Sequence, residues 1–575
     1  MAPLSPRHTR KLTIIAQDPD IKVRMRKDWQ PKILRAHVEI PYEPLSPGPR
    51  GYRVQVIDYD ASTDIMYKPF EQSFDTLPDD TCPDPLGAAS DAQILADPRL
   101  HALNVYAIIM RTLTRFEYAL GRRISWGFFE HQIQVAPHAF ADANAFYSKR
   151  DKALMFGYFL GRDGKPVFSC LSHDVVAHET THALVDGLRE HFTDPSSPEQ
   201  AAFHEGFADV VALLSVFSLP NVVDALLDIT SPGSRRIASG KLRPSELKRS
   251  VLFGLAEQMG AEMSNVRGSA LRRSVELKPS PKHIEQPEFL APHRRGELLV
   301  AAMLNAFLDV WWDRLTSLGA KTQEFLDRRR VVEEGAEIAD YLLTMAIRAL
   351  DYTPPVHLEF CDFLSAILTA DAEIRPTEGK YEFRGCLLKN FADYGMKPAA
   401  KGNGGVWESP KQQLTYARTH FESMQRDPDE VFRFIWENRK ALKFNDEAYS
   451  RVLSVRPCQR VGPDGFALRE TVVEFIQRIK LKASQLGTLK IHAPKGMPPS
   501  QEVVLYGGAT LIFDEHGHLK FDIHNRVDNA SRQSRRLRYL WEYGFFDTRG
   551  AKPHRFSQMH RQRVLNQTEQ RSEEW

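Results

Sequence analysis

Up to about residue 90, apolar and polar side chains alternate in short runs such as Tyr52-Arg53-Val54-Gln55-Val56-Ile57, and Pro/Gly clusters at 44–51 and 77–87 interrupt them. A period of two bounded by turn formers predicts strands and loops. The pattern then changes. Asp97 caps and Pro98 opens an expected helix whose apolar residues recur through Ile108 and Leu113, with Gly121 as its stop. Residues 125–170 read as strand and hairpin. From 172 to about 368 the apolar positions take helical spacing, with Pro and Gly breaks near 193–198, 219–220, 231–233 and 279–292.

Lys401-Gly402-Asn403-Gly404-Gly405 is the most linker-like run in the chain. Beyond it the pattern predicts helices over 429–441 and 468–484. A hairpin follows, 503–512 and 518–523 around Asp514-Glu515-His516-Gly517. Residues 551–575 are polar and read as a frayed or extended tail. No internal repeat is present, which argues against a solenoid. The fold class expected is α+β, and 575 residues suffice for about three or four domains.

Composition narrows the function classes. Lys and Arg number 76 against 74 Asp and Glu, a net charge of +2, so no general attraction to nucleic acid or anionic membrane is expected. The five cysteines are scattered without a CxxC pair, which signals neither a disulfide framework nor a thiolate zinc site. The first residues carry charges where a signal peptide needs its apolar run. The longest apolar stretch, 298–312, holds Asn305 and Asp309 and is too short to span a bilayer. A soluble, cytoplasmic protein with no membrane partner is the expectation. Arg532, Arg535, Arg536 and Arg538 cluster beside Tyr539 and Trp541, and with so balanced a charge they read as a solvated helix face.

The chemistry concentrates in one stretch, His173-Asp174-Val175-Val176-Ala177-His178-Glu179-Thr180-Thr181-His182-Ala183-Leu184, which contains HExxH. Four residues apart on a helix, His178 and His182 share a face, so both imidazoles reach one ion about 2.0–2.1 Å away. Glu179 overhangs the same face and suits a general base that is not itself a ligand. Gly187 is the expected helix stop. Val175, Val176, Leu184 and Val185 imply that this helix is partly buried, where unpaired histidines are costly. A catalytic zinc needs a third protein ligand and an open position. Glu205 is the candidate, 23 residues past His182 (205 − 182), which leaves room for a turn and an antiparallel helix from Glu199 onward. Asp209 shares its face and suits the second ring N–H of a ligand histidine.

Together these residues resemble the thermolysin-like neutral metallopeptidases of the gluzincin class. The likeness rests on Asp174-Val175-Val176-Ala177-His178-Glu179-Thr180-Thr181-His182-Ala183-Leu184 and on Glu205 and Asp209 as the family's ExxxD. Asn144-Ala145-Phe146-Tyr147 with Met155-Phe156-Gly157 resembles its substrate-binding edge strand. Tyr352-Thr353-Pro354-Pro355 and Asn390-Phe391 through Gly395 resemble its closing helices, so the likeness covers about 95–396. It implies a two-lobed catalytic core, with a β-rich N-terminal lobe and a helical C-terminal lobe. The regions become a β-rich 1–95, an N-terminal lobe 96–172, a helical zinc lobe 173–400 and an added α+β region 401–575 of unassigned role.

The resemblance further implies one Zn2+ per chain on His178, His182 and Glu205. Glu179 becomes the base and His293 the group that stabilises the oxyanion, with Glu288 orienting His293. Asn144, Ala145 and Arg267 would bind the substrate. The expected function is a zinc metalloendopeptidase acting on a peptide or protein. The alternatives are a silent zinc- and peptide-binding protein and a non-peptide hydrolase on the same scaffold; Glu179 speaks against the first and Asn144-Ala145 against the second.

The sequence also departs from the family. Arg189-Glu190-His191-Phe192 stands where a tyrosine assists the oxyanion histidine, leaving His191 as the substitute. His204 replaces the usual Asn before the ligand Glu. Asp174 matches a calcium ligand whose partner position falls on Val216, so that calcium site is expected to be missing. No inhibitory pro-segment or secretion signal is recognisable.

Overall fold

The computed structural model describes residues 9–16, 33–71 and 84–546, apart from 129, 162–163, 195, 231–232, 249–273, 275, 377–381 and 463–464. Arg267 and the 551–575 tail lie outside the described residues. The chain is α+β. An antiparallel pair, β1 (Thr9–Ile15) and β2 (Arg35–Pro41), precedes β3 (Val54–Val56). Helix α1 (Pro98–Leu120) starts where Asp97 accepts the Arg99 N–H at 3.0 Å and stops at left-handed Gly121, φ 67°. Then come β4 (Ile133–Phe140), β5 (Ala145–Ser148), β6 (Ala153–Leu160) and β7 (Pro166–Phe168). Strands β3, β4 and β6 run parallel, β5 closes that order antiparallel to β6, and β7 also pairs with β6. Strand β5 is thus an edge.

The helical part includes α2 (His173–Leu188), α3 (Pro198–Phe217), α4 (Pro292–Ser317), α5 (Arg328–Ala349), α6 (Phe360–Ile374) and α7 (Phe383–Ala392). Helix α3 is buried around nearly its whole circumference, polar side chains included, which makes it a central helix. It packs against α2, α4 and α5. A Cβ on Gly206 would lie 2.8 Å from the Gly296 carbonyl, so α3 and α4 touch backbone to backbone there. That contact brings the start of α4, and His293 with it, to Glu205. No single helix among the described residues is long and apolar enough to cross a membrane.

Beyond residue 400 lie α8 (Pro428–Glu437), the antiparallel meander β8 (Tyr449–Val461), β9 (Ala467–Lys482), β10 (Glu502–Phe513) and β11 (Leu519–Asn525), and α9 (Ala530–Glu542). The hairpin expected around 514–517 is the β10–β11 turn. The helix expected over 468–484 is instead the central strand β9. Val472, Phe475, Ile476 and Ile479 fall at i, i+3, i+4 and i+7 and so mimic a helical stripe. Strand β9 pairs on both sides and is buried on both faces from Glu470 to Gln477, which hides its period of two.

The glycine run is no loose linker. Gly405 N–H returns to the Gly402 carbonyl (2.9 Å), and Trp407 donates its indole N–H to the Tyr352 carbonyl (2.9 Å). One apolar core accordingly extends from β1 through the helices to Ile512, Phe521 and Ile523 of the meander. Fully buried Arg460 reinforces the join, pairing with Asp351 and Glu470 and donating to the Tyr352 hydroxyl at 3.0 Å. The basic cluster on α9 is solvated only in part: Arg535 and Arg538 are exposed, whereas Arg532 and Arg536 are docked. Arg532 and Arg535 pair with Glu359, and Arg536 donates to the Val504 carbonyl at 2.9 Å.

Candidate metal centre

Helix α2 is buried along almost its whole length, and polar contacts fix both its ends. In its first turn His173 Nε2 meets Ser215 Oγ of α3 at 2.9 Å, with Arg111 of α1 beside it at 3.4 Å. Burial, with Arg111 adding to it, holds His173 well below the ordinary imidazole range, so this ring is neutral. At the far end Arg456 donates to the Leu188 carbonyl at 2.9 Å, one of the carbonyls a helix terminus leaves unpaired. Arg189 pairs with Glu474 of β9. Gly187, expected as the stop, lies in the last helical turn; a Cβ there would sit 2.1 Å from the Ser125 carbonyl. Close backbone approach, not capping, is what selects glycine at this position.

Between these anchors the predicted residues converge. His178, His182 and Glu205 each offer one ligand atom within 4.8 Å of the others, and they are only 1%, 0% and 2% exposed. His178 Nε2 is 3.8 Å from Glu205 Oε2, and His182 Nε2 is 3.5 Å from Glu205 Oε1. Both rings thus aim their Nε2 at one carboxylate. His178 Nδ1 meets Asp209 Oδ1 at 2.8 Å, and His182 Nδ1 meets His204 Nδ1 at 2.9 Å. Two imidazoles and a carboxylate, with the outer nitrogens of both rings engaged, are a donor set that fits a divalent transition metal.

Glu179 sits outside that set, and its Oε2 accepts the backbone N–H of Tyr147 on β5 at 3.1 Å. The edge strand therefore touches the carboxylate directly. Asn144 and Ala145 lie at its start; Asn144 Oδ1 accepts the Ala145 N–H at 2.9 Å, and both residues are buried. His293, in the first turn of α4, places Nδ1 3.4 Å from Glu205 Oε2 and is 17% exposed, the most open ring of the cluster. Glu288 does not reach it: the carboxylate is exposed and pairs with Arg294 at 3.8 Å. His191 turns to Asp194 at 2.8 Å and to the ring of Tyr506 on β10. Burial pulls its pKa down, but Asp194 outweighs that and leaves it raised.

Two participants escaped the sequence reading. His204 registered there only as a departure from the family pattern, yet it holds the outer nitrogen of His182. Tyr147 was part of a strand motif, and nothing local reveals that its N–H meets Glu179 32 residues on.

Two further groups among the described residues could hold a metal by proximity, His101/His138/Cys170 and Glu359/Cys361/Asp362. In the latter, Glu359 and Asp362 are engaged by Arg532 and cap the start of α6, which accounts for them without an ion. No protein-family model matches the chain, and no match was found among curated proteins.

Proposed function

We propose that the chain is a zinc-dependent metallopeptidase of the thermolysin-like kind, built as a β-rich and a helical lobe with the site between them. The observation that carries this reading is the convergence of two i, i+4 histidines and a carboxylate from the next helix, beside a glutamate anchored by a sheet edge. Zinc held by His178 Nε2, His182 Nε2 and Glu205 supplies Lewis acidity toward water and toward a carbonyl oxygen.

The chain's own groups do the rest. Asp209 and His204 keep the two rings turned inward. Glu179 takes a proton from the attacking water and passes it to the leaving amine, while the Tyr147 N–H fixes the carboxylate in place. His293 donates a hydrogen bond to the oxyanion of the tetrahedral intermediate. An extended peptide adds to the β5 edge, which suits backbone pairing.

The test incubates the protein with a diverse peptide mixture, with and without a zinc chelator and beside Glu179→Gln, and reads new termini by mass spectrometry. Cleavage lost in both controls supports the peptidase. No cleavage by a chain that binds zinc leaves the silent binding protein as the reading.

A further inference from the structure

A second histidine cluster lies where α1, β4 and the turn before α2 meet. His101 Nδ1 faces His138 Nε2 at 2.8 Å, and Cys170 offers its sulfur within 4.8 Å of both. His101 and His138 are 1% exposed and Cys170 0%. The outer nitrogens of both rings are engaged. His101 Nε2 lies 2.7 Å from the Ile94 carbonyl, which can only accept, so that nitrogen carries a proton. His138 Nδ1 lies 2.8 Å from Asp58 Oδ2, and the other Asp58 oxygen accepts the His138 backbone N–H at 3.0 Å. With an ionised Asp58, His138 Nδ1 is the donor.

Those assignments leave each neutral ring with a lone pair on its inner nitrogen, and the two lone pairs point at each other. Two acceptors this close need a cation between or beside them. A shared proton would satisfy the two rings, with Asp58 as its counter-charge, but it gives Cys170 no part. A metal ion uses all three donors. The outer contacts, one to a carboxylate and one to a backbone carbonyl, are those that orient ligand histidines in metal proteins. Charge also closes: a divalent ion is balanced by the Cys170 thiolate and Asp58, once the thiol proton leaves to solvent and a metal–sulfur bond replaces S–H. Phe168 packs against both rings at 4.9 and 5.1 Å and keeps the cluster dry.

We propose that His101 Nδ1, His138 Nε2 and Cys170 Sγ form a second, structural zinc site. It ties α1 to the sheet and to the residues that lead into α2, three positions before His173. It stands independently of the peptidase reading, because none of its residues belongs to the HExxH centre.

The experiment measures metal content of the full-length chain after zinc loading and dialysis. About two zinc ions per chain are expected in the wild type and about one in His178→Ala/His182→Ala. Cobalt substitution of the wild type should give a thiolate-to-metal charge-transfer band, since the HExxH donors include no sulfur, and Cys170→Ser should abolish it. Asp58→Asn should weaken zinc binding at this site about 10- to 100-fold. One zinc per chain with no thiolate band, or a band that survives Cys170→Ser, overturns the proposal. The wild-type stoichiometry and cobalt spectrum decide even if a variant fails to fold.

Discussion

Asp209→Ala isolates the contribution of one outer contact to the proposed zinc centre. The Asp209 carboxylate lies 2.8 Å from His178 Nδ1, and its side chain is 15% exposed. A hydrogen bond to a charged partner contributes about 1.5–3 kcal/mol, and water reaching the vacated position recovers part of that. The expected loss of zinc affinity is about 10- to 100-fold, or about 1.4–2.8 kcal/mol. Chelator competition measures it directly. Thermal unfolding with and without zinc supplies the control: ligand linkage raises stability by RT ln(1 + [L]/Kd), so the variant should gain less from a given zinc concentration than the wild type. Asp209→Asn keeps an acceptor and should fall nearer the 10-fold end of that range. If Asp209→Ala binds zinc as tightly as the wild type, or loses the same stability with and without zinc, the contact is a buried ion pair and the ligand assignment of His178 is wrong.

Four other outcomes are expected. Glu179→Gln should keep zinc affinity while turnover falls about 10²- to 10⁴-fold, read as kcat in single-peptide assays. Arg460→Met should destabilise the chain by about 3–5 kcal/mol in denaturant unfolding, because Asp351 and Glu470 lose a fully buried partner. Burial alone would raise the pKa of Asp351, but Arg122 and Arg460 outweigh it and hold the group well below the usual carboxylate range. The folded state therefore binds fewer protons there; the stabilisation is complete above the unfolded value of about 3.9 and is lost as pH falls below it, a slope that Asp351→Asn should flatten in acid unfolding. Gly206→Val should drive α3 from α4, lowering stability by about 1–3 kcal/mol in denaturant unfolding.

What the sequence revealed and what it hid divide along sequence distance. The ends of α1 and the starts of α3 and α4 follow from caps, prolines and glycines within a few residues of the boundary. The pairing of His178 with His182 follows from helical periodicity, and Glu205 and Asp209 lie one helix further on. His204 and Tyr147 act through tertiary contacts, and no local period encodes those. Strand β9 misled because its apolar spacing satisfies a helix template while its true partners, β8 and β10, are what bury both faces. The His101/His138/Cys170 cluster draws one residue from a helix, one from a strand and one from a turn, so no ligand-spacing rule could have found it.

The same distance rule explains why the region beyond residue 400 carried no readable role. Its meaning lies in contacts such as Arg456 to the Leu188 carbonyl, 268 residues apart, and Arg189 to Glu474. Leu188 ends the helix that bears His178 and His182, and Asp351, which Arg460 grips, also holds Arg122 just after α1. The meander therefore helps to terminate the helix that carries the candidate ligands, placing the Arg456 guanidinium where the helix dipole is negative and a carbonyl is unpaired, and Glu474 against Arg189 at the helix end. An ion site with donors on two helices depends on their relative position to within fractions of an ångström. Here α2 is tied to α3 at one end by His173 and Ser215, and to strand β8 at the other by Arg456, 268 residues beyond Leu188.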